Sequence, residues 1–93
     1  MKSPGFSVMY FTYILKSISS GRLYIGQTNN VDDRLRRHNL GHNKSTRGRG
    51  PWKLLHSKQF STRSEAIFLE RKLKSFKNPE KVMDWIFQNP SVG

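Results

Sequence analysis

Short apolar runs alternate with turn signals along most of this chain. Met9 to Lys16 reads MYFTYILK, rich in the aromatic and β-branched residues that pack well in a strand. Ser17 to Gly21 is turn material, and Arg22 to Gln27 (RLYIGQ) resumes strand chemistry, which Gly26 ends. The two runs predict an antiparallel hairpin with a loop of about four or five residues. A turn centred between Ile18 and Ser19 sets Tyr13 and Tyr24 close to direct opposition. Asn30 caps a helix over Val31 to Leu40, with Asp32 and Asp33 in its first turn and Gly41 at its end. Its apolar positions are Val31, Leu35 and Leu40, so much of its circumference is charged. His42 to Gly50 (HNKSTRGRG) has no periodicity and predicts an exposed, mobile loop. Trp52 to Phe60 is a third strand. Thr62 and Glu65 form a capping box that opens a helix over Arg63 to Phe76. Asn78 and Pro79 start a last helix, Pro79 to Gln88, which Asn89 and Pro90 halt.

The order is strand, strand, helix, strand, helix, helix. It predicts an α+β fold, a three-stranded antiparallel sheet flanked by helices, because each helix has one apolar stripe to bury. At 93 residues the chain holds one domain, expected over residues 9–88, with a flexible leader over 1–8 and a tail over 89–93.

Composition sharpens this picture. Seventeen Lys and Arg face six Asp and Glu, a net charge of +11. That much self-repulsion points to a polyanionic partner, nucleic acid ahead of an acidic membrane surface. Cysteine is absent, which excludes disulfides and thiolate metal sites and fits a reducing compartment, the cytoplasm. No apolar run approaches the ~20 residues needed to cross a bilayer, and no export signal is read. No small-molecule cofactor is expected.

The cations concentrate in Arg34, Arg36, Arg37, Lys44, Arg47, Arg49 and Lys53, opposed within that span only by Asp32 and Asp33. Side chains of this kind neutralise phosphates without reading sequence. Glu70 lies at i+4 from Ala66 and i−3 from Leu73, which sets a carboxylate in the apolar stripe of its helix. An ionised carboxylate there needs a cation, a metal ion or several donors, and a structural ion pair with Lys or Arg stands level with metal binding. Arg34 and His38, four apart, project from one side of their helix and can clamp a phosphate, although a histidine on a basic helix is usually a surface residue. Tyr13 and Tyr24 can serve chemistry beside that helix or simply pack. His42 and His56 have no partner at a metal-binding spacing.

Taken together these residues resemble the GIY-YIG endonuclease superfamily, in particular its small stand-alone bacterial members. The resemblance rests on FTY at Phe11 to Tyr13, YIG at Tyr24 to Gly26, QTNN after it, Arg34, His38, a loop ending at Pro51 and a helical Glu70. It covers about residues 9 to 77. It implies a three-stranded antiparallel sheet with helices and hydrolysis of phosphodiester bonds with one divalent cation, Mg²⁺ or Mn²⁺. It further implies that Glu70 is the sole protein metal ligand, that Arg34 steadies the scissile phosphate, and that Tyr13, Tyr24 and His38 activate or orient the attacking water. A free phenol has a pKa of about 10, so such a tyrosine is expected to be lowered by cationic neighbours. The first motif reads Phe-Thr-Tyr rather than Gly-Ile-Tyr, and Gln27 stands where repair-type relatives carry a Lys.

The expected activity is therefore metal-dependent endonucleolytic cleavage of DNA, with Arg36, Arg37, Lys44, Arg47 and Arg49 binding the phosphates. Two alternatives stay open: a nucleic-acid-binding module that keeps the fold without catalysis, and a small basic protein of a ribonucleoprotein.

Overall fold

The strand with the longest unbroken apolar run becomes the centre of the sheet. The computed structural model describes residues 8–91. Its elements are β1 (Tyr10–Ser17), β2 (Leu23–Thr28), α1 (Val31–Asn39), β3 (Trp52–Phe60), α2 (Arg63–Ser75) and α3 (Pro79–Gln88). The three strands form one antiparallel sheet in the order β2-β1-β3. The α+β architecture and the sequence of elements are those the pattern predicts. Residues 1–7 of the expected leader, and 92 and 93 of the expected tail, lie outside the described residues.

Helices cover both faces, so consecutive residues of β1 are buried in opposite directions. Ile14 packs with Ile25, Leu69, Leu73 and Val82 beneath α2 and α3. Tyr13 and Leu15 pack with Trp52, and with Tyr24, Val31 and Leu35, beneath α1. Tyr13, Ile14 and Leu15 are all 1% exposed or less. Each such burial contributes roughly 1.5–3 kcal/mol of transfer free energy. The caps set the helix starts. The Asn30 side chain accepts from the Asp33 amide, and Thr62 and Glu65 exchange bonds as a capping box. Gly41, at φ +80°, closes α1 in the left-handed conformation.

Three expectations are corrected. Strand β2 does not stop at Gly26 but runs on to Thr28, because Gly26 pairs with Tyr13 inside the sheet. The hairpin turn is centred later than the sequence implies, so Tyr24 lies opposite Leu15 and the two tyrosines are diagonal neighbours. The loop from His42 to Gly50 is anchored rather than free. Thr46 is 1% exposed, and its carbonyl accepts from the Trp52 indole at 3.2 Å. The Asn39 side chain bridges the Trp52 backbone, accepting from its N–H at 2.7 Å and donating to its C=O at 3.0 Å. Ser17 Oγ donates to the Arg49 carbonyl at 2.6 Å. Beyond α3, Ser91 Oγ accepts from the Ser57 amide, tying the described end of the chain to β3. Among the described residues no helix is long and apolar enough to cross a membrane.

Candidate active site

Four elements carry the candidate residues. Tyr13 comes from the central strand, Tyr24 from β2, Arg34 and His38 from one side of α1, and Glu70 from α2. The stripe of α1 that faces the sheet runs Val31, Leu35, His38, an i, i+4, i+7 pattern that turns the histidine inward. His38 is 2% exposed and is the buried residue of α1, not the surface histidine that its basic surroundings imply. Its burial is tolerated because both ring nitrogens have partners: Nε2 lies 3.1 Å from the Tyr13 hydroxyl and Nδ1 lies 2.7 Å from Thr46 Oγ1. The Tyr24 ring sits 4.6 Å from the His38 ring and 6.2 Å from that of Tyr13. Tyr24 keeps partial exposure while Tyr13 is closed off behind it.

The charge environment separates these groups. Burial pushes the Tyr13 phenol far above its ordinary pKa, and the neighbouring Tyr24 and Glu70 push it the same way, against a partial downward pull from Arg34. The phenol that cations would have to acidify is thus not Tyr13, where desolvation outweighs one guanidinium. Burial also lowers His38, and the Arg34 charge lowers it further, so the ring is neutral at physiological pH. Arg34 itself is half-buried, and its Nε is buried with no hydrogen-bond partner. An unpaired buried donor costs about 1–3 kcal/mol. It is the unmet donor in the middle of this constellation.

Glu70 stands at the margin of the α2 stripe: Ala66, Leu69 and Leu73 are buried, and the Glu70 side chain is 19% exposed. Its Oε2 accepts from Lys74 Nζ at 2.7 Å, a cation supplied by the same helix and itself 54% exposed. The Glu70 charge nevertheless acts on the Tyr13 phenol, from a helix that packs on the Ile14 face of the sheet. Among the described residues no group of three or more His, Cys, Asp or Glu converges to hold a metal ion. A hard dication held by one carboxylate must therefore draw its remaining ligands from water and substrate oxygens, which is the habit of Mg²⁺.

The expected phosphate-binding cations divide into two sets. Arg36 and Arg37 both pair with Asp33, at 3.1 and 3.0 Å. Lys44, Arg47 and Arg49 stand exposed on the anchored loop, without an ion-pair partner among the described residues. Sequence reasoning did not single out Thr46, Lys74 or Arg63. Lys74, four residues after Glu70, had a legible signal in that spacing. Arg63 stacks over the Tyr10 ring at 4.7 Å and donates to Gln27 Oε1 at 3.1 Å, so a cation from α2 reaches the position where the motif lacks a basic residue. For Thr46 no local pattern exists, because its partner lies eight residues away in a helix.

A family model described as the GIY-YIG catalytic domain matches residues 9–83. A UPF0213 protein of Oceanobacillus iheyensis is 40% identical over 74 residues, which span 78% of this chain and 85% of the relative. One from Haloquadratum walsbyi is 41% identical over 73 residues, spanning 77% and 81%. The solution NMR structure of a UPF0213 protein from Bacillus halodurans is similar with a TM-score of 0.56 at 32% identity, covering 87% of this chain and 85% of that one. With the tyrosine pair, the arginine, the histidine and the helical glutamate on the elements described above, this chain belongs to the GIY-YIG catalytic-domain family.

Proposed function

We propose that this protein is a divalent-metal-dependent endonuclease that hydrolyses phosphodiester bonds in DNA, working in a reducing cytoplasm and binding its substrate mostly through phosphates. The observation that carries the proposal is the buried, partnerless Nε of Arg34 beside Tyr13, Tyr24 and His38. A guanidinium offers its donors in a fork that matches a phosphate, and the scissile group supplies the acceptor this nitrogen lacks. Glu70 would hold the ion, Mg²⁺ or Mn²⁺, which when bound supplies charge neutralisation and a more acidic water. Tyr24, the more open of the phenols, is placed to orient the attacking water. Tyr13 stays protonated and holds His38, while Lys44, Arg47 and Arg49 carry the flanking backbone.

The test is nicking of supercoiled DNA with Mg²⁺ or Mn²⁺ by the wild-type protein beside Glu70→Ala and Arg34→Ala. Metal-dependent nicking by the wild type is expected, with at least a hundredfold loss in either variant while binding measured in a chelator changes little. Nicking that survives Glu70→Ala would remove the metal assignment.

A specific observation favours a second reading. The Lys74 ammonium already satisfies Glu70, as it would in a binding module that keeps the fold without cleavage. Equal DNA binding by wild type and Glu70→Ala, with no nicking by either, establishes that alternative.

A further inference from the structure

We infer that Thr46 is a positioning residue that fixes His38 as its Nδ1–H tautomer and so keeps Nε2 an acceptor facing Tyr13. Tyr13 is 1% exposed, and its hydroxyl has His38 Nε2, at 3.1 Å, as its hydrogen-bond partner. Of the other groups that act on it, Arg34 is a guanidinium, which can only donate, and Tyr24 and Glu70 act through charge without a hydrogen bond to it. A buried phenol that keeps its proton must place it on an acceptor, and Nε2 is the acceptor within reach. In a neutral imidazole the ring proton then sits on Nδ1. That proton needs an acceptor of its own. Thr46 Oγ1 provides it at 2.7 Å, and the threonine proton has the Asn43 carbonyl at 3.4 Å.

The chain therefore runs in one direction, from Tyr13 O–H to His38 Nε2, from Nδ1–H to Thr46 Oγ1, and from Thr46 O–H to the Asn43 carbonyl. Thr46 is as buried as Tyr13, and the indole of Trp52 holds its carbonyl, so its hydroxyl has little freedom to turn elsewhere. Only its consequence for cleavage rests on the nuclease reading: Nε2, kept an acceptor, holds the protonated Tyr13 hydroxyl in place beside Tyr24 and Arg34.

The experiment is ¹⁵N NMR of the histidine-labelled full chain, which reports the tautomer directly and needs no activity. Wild type is expected to show the Nδ1–H pattern for His38 near neutral pH. Thr46→Val, which removes the acceptor but keeps the shape, is expected to convert most of the population to Nε2–H, and Thr46→Ser to restore Nδ1–H. Nicking should fall about tenfold in the valine variant and return in the serine variant. A wild-type spectrum showing Nε2–H overturns the inference even if the valine variant fails to fold. An unchanged tautomer in folded Thr46→Val overturns it too. Failure of the nuclease reading would show separately, as wild-type protein that does not nick DNA, and the tautomer would still be decided.

Discussion

Gly26 owes its identity to a neighbour and not to its own backbone. A Cβ built there lies 2.7 Å from the Tyr13 hydroxyl oxygen and 2.8 Å from its Cζ, which no relaxed side chain tolerates. The Tyr13 ring is wedged against His38 and cannot swing clear. Gly26→Ala should therefore cost about 1–3 kcal/mol and lower the thermal midpoint by several degrees. Thermal unfolding within a degree of wild type would show the ring to be freer than this packing allows. At this scale the sequence is legible where the signal is chemical and opaque where it is positional. Tyr13, Tyr24, Arg34, His38 and Glu70 stood out by residue type and spacing, but only the family resemblance gave them roles. That His38 is interior could not be read there, because its burial depends on Thr46, which the loop delivers from outside the helix.

Helices and strands were legible nearly to the residue, because their ends carry chemistry of their own: Asn30, the Thr62 and Glu65 box, and Asn78 with Pro79. The hairpin register was not, since it depends on how the turn from Ser17 to Arg22 closes, with Gly21 at φ +79°. Within α2 the i, i+4 pair of Glu70 and Lys74 has a consequence for the ion. An ammonium on the carboxylate competes with a dication, so Lys74→Met should tighten Mn²⁺ binding by the free protein about twofold to fivefold. Electron paramagnetic resonance titration, with Glu70→Gln as the control that loses binding, measures this. Equal Mn²⁺ affinity with and without the Lys74 ammonium would mean that the pair does not guard the site.

Over the molecule as a whole, Tyr13 and His38, two of the buried titratable groups, set an alkaline and an acid limit to the stability of the fold. His38 binds its proton less readily when folded than its ordinary pKa of 6.5 allows, so the unfolded chain takes up more protons as pH falls. Stability from its neutrality is full above about 6.5 and is lost as pH drops through that value toward the lower folded one. Tyr13 is raised, so its contribution is full below the ordinary phenol value of about 10 and is lost as pH climbs above it. Chemical denaturation across pH should show a plateau between these limits, with an acid limb that flattens in His38→Gln. A limb of the same steepness in that variant would assign acid sensitivity to other groups. The anchored loop has a different global effect. Because Thr46, Arg49 and Trp52 pin its main chain before any partner arrives, Lys44, Arg47 and Arg49 meet a polyanion already arrayed. Only side-chain rotamers then need to be frozen on contact, so this stretch works as a docking template and not as a lasso that must fold around its cargo.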